Sequence, residues 1–383
     1  MGRHLSRSKR VPTVRGPTEL RTQVLDAGLC TVCGMCLGLC PYIEEKDETV
    51  AFLSDCKAAQ GRCWAVCPRT ETDLELLRDR FLPSLPDDYV LGRHRSVWMA
   101  QAAQTSLRRR GQYGGTVSAL AVFGLQTGRL DAALLSAWAK DPSRPLLPEP
   151  VLVRSRRQVL EAAGSKYSGC PTLSRLDQAV REEAKRLLVV GRPCQIVALR
   201  KRMFLQDDSF PRNRVALAVG LFCMWSVPYK NLRSLVETVL DGKHPERVDV
   251  PRGRFVVTAG GKVHAFSHDA VRDMARAACR LCCDFTSELA DLSVGSTEWK
   301  DDWNTLIVRS GRGARFLEAA QRAGAVRLRP FPAERLRILR EAAYNKKRRA
   351  LREIAAGPDD SYLKVSRTER DFFRPERLPE PEE

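Results

Sequence analysis

The sequence contains no uninterrupted apolar run approaching the roughly 18 residues of a membrane-crossing helix, so no transmembrane span is expected. Histidine is scarce (5 residues), and the many arginines are scattered without interleaved aromatics, which speaks against a nucleic-acid reader. No G-x-G-x-x-G follows a strand-like run and no Walker pattern occurs, so neither a Rossmann NAD site nor a P-loop is supported. The first 28 residues are basic (Arg3, Arg7, Lys9, Arg10, Arg15, Arg21), but no apolar stretch follows them, which argues against a secretory signal. Met1-Gly2-Arg3-His4-Leu5-Ser6 fits the loose myristoylation pattern, a match short enough to arise by chance. No internal repeat is visible.

Cysteine is abundant: 13 residues, in a chain with no export signal. In a reducing compartment such a number points to metal ligation rather than disulfides. Seven of them crowd into residues 30–67 and six lie between 170 and 283. Cys30-x2-Cys33-x2-Cys36-x3-Cys40-Pro41 is the bacterial ferredoxin spacing, in which three close thiolates serve one cubane and the fourth reaches to another cluster. Zinc sites use two CxxC pairs at longer separation and do not produce this run. Cys63-x3-Cys67-Pro68 supplies a closing pair. By the crossed logic Cys30, Cys33, Cys36 and Cys67 hold one [4Fe–4S] cluster, while Cys40, Cys56 and Cys63 are one thiolate short of a second. That second site is a three-iron cluster, or is completed by Asp55 or a distant cysteine, unless Cys56 is a buried free thiol. Among the later cysteines, Cys194 sits at a strand-to-helix turn, Cys223 closes an apolar run, and Cys279 and Cys282 form a CxxC. These four either converge on one site beyond the strand carboxyl ends or are small core residues. Cys170 and Cys283 receive no role.

The chain divides into a basic disordered arm (1–28), a ferredoxin-like domain (29–70), a helical connector (71–91), a larger domain (92–357) and a poorly ordered tail (358–383). Beyond residue 92 apolar runs alternate with helical patterns. The expected fold is α/β (α+β) with a mixed, largely parallel sheet, preceded by the small ferredoxin-like domain. Expected strands are Ala132–Trp138, Val151–Val153, Leu187–Val190, Val215–Leu221, Phe255–Thr258, Leu289–Val294 and Thr305–Arg309. Expected helices include Thr116–Gln126, Ser174–Arg186 and a long cationic one over Pro332–Ala356. The turns Gln112–Ser118 and Ala163–Tyr167 can meet a phosphate or flavin edge, or be plain turns. The net charge of +18 suits a solvated basic surface, an acidic partner protein or a polyanionic small molecule.

Several segments together resemble the coenzyme F420 hydrogenase/dehydrogenase beta-subunit family over roughly residues 29–355. They are Gly114-Gly115-Thr116-Val117-Ser118-Ala119-Leu120, Gly164-Ser165-Lys166-Tyr167, Gly191-Arg192-Pro193-Cys194-Gln195, Gly220-Leu221-Phe222-Cys223, Cys279-Arg280-Leu281-Cys282-Cys283-Asp284, Ala290-Asp291-Leu292-Ser293-Val294-Gly295 and Asn345-Lys346-Lys347-Arg348-Arg349. The family's Gly-Asp is here Gly295-Ser296.

The resemblance implies a flavoprotein carrying FAD and [4Fe–4S] clusters, two or three in number, that exchanges a hydride with coenzyme F420. It makes Gly114, Gly115, Thr116, Ser118, Lys166 and Gln195 the leading flavin or coenzyme contacts, and gathers Cys194, Cys223, Cys279 and Cys282 into one cluster site. It also implies an acidic electron-transfer partner or ferredoxin, and a cytoplasmic location, free or at the periphery of a membrane-bound complex. The two-half arm looks like that of the family's F420H2-oxidising branch. Two alternatives remain open: a ferredoxin-dependent FAD/Fe–S reductase of another substrate (a chlorophyll precursor or pyridine nucleotide), and a non-catalytic relay subunit.

Overall fold

Runs such as Leu187-Leu188-Val189-Val190 are apolar at every position, the pattern of a strand covered on both faces, and all four residues are buried. The computed structural model describes residues 15–141, 143–205, 210, 212–240, 243, 245–251, 253–296, 302–357 and 362–374. In chain order its strands are β1 (Ile43–Lys46), β2 (Thr49–Phe52), β3 (Thr72–Asp73), β4 (Ser96–Ala102), β5 (Ala132–Trp138), β6 (Pro148–Val153), β7 (Leu187–Gly191), β8 (Val215–Leu221), β9 (Pro245–Asp249), β10 (Arg254–Ala259), β11 (Lys262–Ser267), β12 (Leu292–Ser296), β13 (Asn304–Val308), β14 (Val326–Pro330) and β15 (Leu363–Lys364).

Eight strands form one sheet in the order β14-β4-β13-β12-β8-β7-β5-β6. Its centre, β12-β8-β7-β5, is parallel, and every other pairing is antiparallel. The sheet is thus mixed, with parallel pairing confined to the middle, because β13 turns straight back along β12 and edge strands β6 and β14 close each side. Leu188, Val190, Leu217 and Val219 face one layer with Leu120 and Phe123 of the helix Thr116–Gln126 and Phe316 of Gly311–Arg322. Leu187, Val189, Val215 and Ala218 face the other, with Ile196 and Leu199 of the helix Pro193–Phe204 and Ala350 and Ile354 of Ala333–Ala356. A smaller sheet, β11-β10-β9, packs Phe255 and Val257 against Leu232 and Val236 of the helix Tyr229–Leu240.

Three expectations need correction. The pattern over Ser174–Arg186 is not one helix: the helix Leu176–Arg181 stops before Glu183, which takes a left-handed φ of 58°. Within the arm expected to be disordered, Pro17–Leu20 is helical and continues as a π turn, Arg21–Leu25, because Leu20 and Val24 are buried against Ile43, Val50 and Trp64; residues 1–14 lie outside the described residues. The expected tail also folds over 362–374. β15 pairs with β3, and the helix Arg367–Phe372 buries Glu369 completely. Glu369 accepts from Arg78 at 2.6 Å and lies 3.3 Å from Lys347, while Glu288 lies 2.6 Å from Lys347 and 3.2 Å from Arg78. Four buried charges of balanced sign therefore tie the connector to the body, since removing any one leaves another uncompensated.

The N-terminal lobe is not free-standing. Cys33, Met35 and Val66 belong to the same apolar cluster as the second sheet face. Gly34 has φ +85°, and a Cβ there would lie 2.3 Å from the Pro171 carbonyl oxygen, so only glycine lets this turn close on the body. At the tip of the β1–β2 hairpin, the buried Glu48 accepts from the Tyr229 N–H and from Arg276.

Candidate functional site

A cleft of about 810 Å³ opens where the parallel strands end, lined there by Ser136, Gly191, Leu221 and Gly295. This is where open α/β sheets place ligands, since the loops leaving the strand ends diverge. Five of the six expected contacts line it: Gly115, Thr116, Ser118, Lys166 and Gln195. Gly114 does not line it. It packs beneath the wall, where a Cβ would lie 2.7 Å from the Ala100 carbonyl.

Four of these five already have structural work. Gly115 takes φ +63° to start the helix Thr116–Gln126. The Thr116 hydroxyl bonds the Ala100 carbonyl (3.1 Å) and Asn304 Oδ1 (2.8 Å), which fixes the helix start against β4 and β13. Gln195 is the N3 residue of its helix. Its Oε1 accepts from the Arg192 N–H at 2.8 Å, and its Nε2 donates to the Cys170 carbonyl at 2.9 Å. Lys166 Nζ donates to the carbonyls of Ala162, Ala163 and Gly164 and lies 5.4 Å from the Trp138 ring centre. Burial pushes this ammonium down to about 7.

The cysteines fall into three groups. Cys30, Cys33, Cys36 and Cys67 line one void of about 20 Å³ beside Leu20, Val24 and Ile43. Burial pushes Cys30 up to about 11, Cys33 further, and Cys36 well above the ordinary thiol value, and the neighbouring thiols add to the rise. Backbone N–H groups point at two of the sulfurs: Val32 at Cys30 and Arg69 at Cys67, both 3.4 Å. The second group is Cys40, Cys56 and Cys63: burial raises the Cys63 thiol, and Cys40 and Cys56 act on it electrostatically in the same direction. Asp55, one of the alternatives for completing this set, is exposed and pairs with Arg21 at 3.1 Å.

The third group joins distant elements. Cys194 stands in the first turn of the helix Pro193–Phe204, Cys223 just beyond β8, Cys279 at the end of a 3-10 turn and Cys282 three residues on. Cys223 lines the cleft, whereas Cys194 and Cys282 line a void of about 30 Å³ that also touches Pro68 and Arg69. The group therefore lies between the cleft and the loop carrying Cys67. Burial pushes Cys223 up to about 12. Cys282 differs: burial raises it, but Lys346 and Arg69 outweigh burial and hold it below the ordinary thiol value. Cys170 is buried on the cleft wall, and Cys283 is buried and pushed up to about 12.

Among the described residues, no three His, Cys, Asp or Glu are arranged to grip a single metal ion. A single zinc draws its sulfurs to about 2.3 Å from one point, whereas a multi-iron cluster gives each thiolate its own iron and spreads the set. Buried, desolvated thiols with N–H groups aimed at sulfur suit the second arrangement, because such thiols ionise only when a metal takes the proton's place. Sequence reasoning assigned no role to Arg69, Arg192 or Lys346. A charged residue beside a candidate ligand was the available signal, but nothing local shows that it is buried.

Two family models match, the coenzyme F420 hydrogenase/dehydrogenase beta subunit N-terminal part at residues 97–177 and its C-terminal part at 184–334. The coenzyme F420 hydrogenase subunit beta of Methanothermobacter thermautotrophicus is 29% identical over 70% of this chain and 96% of its own length. The coenzyme F420-dependent sulfite reductase of Methanocaldococcus jannaschii is 27% identical over 86% of this chain and 52% of its own length. Among solved structures, a chain of the F420-reducing [NiFe] hydrogenase complex from Methanosarcina barkeri superposes with a TM-score of 0.66 at 28% identity, covering 71% of this chain and 94% of that one. No described helix is long and apolar enough to cross a membrane.

Proposed function

The chain belongs to the coenzyme F420 hydrogenase/dehydrogenase beta-subunit family, and from that premise we propose that it is an oxidoreductase moving electrons between coenzyme F420 and iron–sulfur clusters by way of FAD. The observation that carries this reading is the wall shared by the cleft and the third thiol group through Cys223. In this reading FAD supplies the conversion of a two-electron hydride into single electrons, and clusters on the thiols supply single-electron stations.

The chain's own residues bind, orient and insulate. At the start of the helix Thr116–Gln126 the Thr116 N–H is taken by Asn304 Oδ1 at 3.2 Å, and the N–H groups of Val117 and Ser118 with the Ser118 hydroxyl are left to meet an anionic group in the cleft. Asn304 keeps that helix start in place through Thr116. Gln195 ties the Cys170 loop to the turn carrying Arg192 and Cys194, so cleft wall and thiol ligand move as one piece. Leu135, Val159 and Phe331 keep the cleft apolar and exclude water. Coenzyme F420 carries a phosphate and a polyglutamate tail, and the chain's net charge of +18 favours its approach. Cys30, Cys33, Cys36 and Cys67 hold the next station, and Cys40, Cys56 and Cys63 the outermost, facing a partner electron carrier. In this reading the protein works in the cytoplasm, free or docked on a larger complex.

The test is an anaerobic titration of the cofactor-loaded protein with reduced F420. Flavin absorbance is expected to bleach in proportion to the F420H2 added. A fully loaded protein that shows no bleaching contradicts the reading.

A further inference from the structure

Three cations stand around the third thiol group, Lys346 and Arg69 buried and Arg192 half-buried. Lys346 is 2% exposed, and its Nζ donates to the carbonyls of Cys223 and of Asp284, two residues past Cys282. Arg69 is buried and donates to the carbonyl of Leu281, between Cys279 and Cys282, and to the Tyr362 hydroxyl. Arg192, two residues before Cys194, donates to the Thr31 carbonyl at 3.4 Å, next to Cys30. Among the described residues none of the three has a carboxylate within ion-pair reach, unlike Arg78 and Lys347 a few residues away. Asp284 and Glu48 act on Lys346 and Arg192 only from beyond that reach; a buried cation without a close counter-charge is costly, so negative charge at the thiols is what this pocket is built to hold.

The other two groups are set up differently. Beside Cys67 the buried Lys201 donates to the Cys67 carbonyl at 2.6 Å, and Arg69 is shared between this group and the third. Around Cys40, Cys56 and Cys63 the basic residues Arg21, Lys57 and Arg62 are exposed, and solvent screens them. Reducing a cluster by one electron adds one negative charge, and a fixed cation nearby favours the reduced form.

Resting on the reading that the third group carries a cluster, we propose that Lys346, Arg69 and Arg192 act as positioning charges that make it the highest-potential electron station in the chain. The second group, whose basic neighbours are exposed, is lowest. Electrons leaving the cleft collect at Cys194, Cys223, Cys279 and Cys282 before any pass to the N-terminal lobe.

The test is an EPR-monitored redox titration of the anaerobically purified full chain, with the third-group signal assigned by its loss in Cys223→Ser. Lys346→Gln keeps a hydrogen-bond donor but removes the charge. It is expected to shift that signal's reduced-to-oxidised ratio at fixed potential at least tenfold toward oxidised, about 59 mV for one electron, with the other signals unmoved. Lys346→Arg is expected to restore the wild-type value, which a merely packing role does not predict. If Lys346→Gln fails to fold, Arg69→Gln gives the same readout. A third-group signal at unchanged potential in the charge-removed variants overturns the inference while leaving the cluster reading intact. If Cys223→Ser removes neither signal nor iron, the cluster reading of this site fails and the inference falls with it.

Discussion

In the N-terminal lobe Cys30, Cys33 and Cys36 stand within one short turn of chain, whereas Cys194, Cys223 and Cys279 arrive from a helix start, a strand end and a 3-10 turn far apart in sequence. The first set is held by local geometry: a tight glycine turn, N–H groups aimed at sulfur and a small apolar core of its own. The second is assembled by the fold: β7 and β8 deliver Cys194 and Cys223 beyond their ends, and the segment ahead of β12 brings Cys279 and Cys282. The difference also extends to charge, since the third group is walled by buried cations and the outermost lobe group is not. A site made by a short motif can sit on many folds, but a site made by strand ends comes with the cleft beside it. On the proposed function, that adjacency makes the third group the junction between ligand chemistry and relay.

The sharpest way to break this comparison is to remove one ligand from each set. Cys36→Ser is expected to abolish the lobe's first cluster and leave the third group's EPR signal intact; Cys223→Ser is expected to do the reverse. Iron per chain and EPR on the purified variants check this, and unchanged iron in either variant contradicts the ligand assignment.

Next in size is the joint between the two regions. Glu369→Ala strips the buried counter-charge from Arg78 and Lys347 and should cost about 3–5 kcal/mol of stability in chemical denaturation. A loss of no more than a surface substitution's effect would mean that the C-terminal segment is not clamped as described. Gly34→Ala forces a side chain into a left-handed turn against Pro171, with an expected cost of about 1–3 kcal/mol and weaker retention of lobe iron. The smallest effect belongs to Asp55→Ala: the carboxylate is exposed and paired with Arg21, so stability should change by within about 0.5 kcal/mol and iron content not at all. A variant lacking iron at the second group would restore Asp55 as a ligand.

The same contrast explains what could be read from the sequence. The lobe's first thiol set was legible because its spacing is local. The central strands β5, β7 and β8 were legible because double-sided burial leaves continuous apolar runs. Strands β4 and β14 were not, since Ser96, Gln101, Arg327 and Arg329 interrupt the pattern near the sheet's edge. For the third group, two strand-end cysteines and a CxxC left a shared site and plain core residues both open, and only the family resemblance gathered them, because the fold, not sequence distance, brings its members together. The buried charges Arg78, Glu288, Lys347 and Glu369 read as surface residues until the fold pairs them, and for that reason residues 362–374 were taken as tail.

The central claim is that the third group is the step every electron takes between the cleft and the lobe. Its most direct test is freeze-quench EPR after mixing reduced F420 with the cofactor-loaded wild type and with Cys223→Ser. The wild type is expected to show flavin bleaching, then reduction of the third group, then reduction of the lobe clusters. The variant is expected to bleach its flavin while the lobe clusters stay oxidised. Lobe clusters reduced at the wild-type rate in Cys223→Ser would contradict the account.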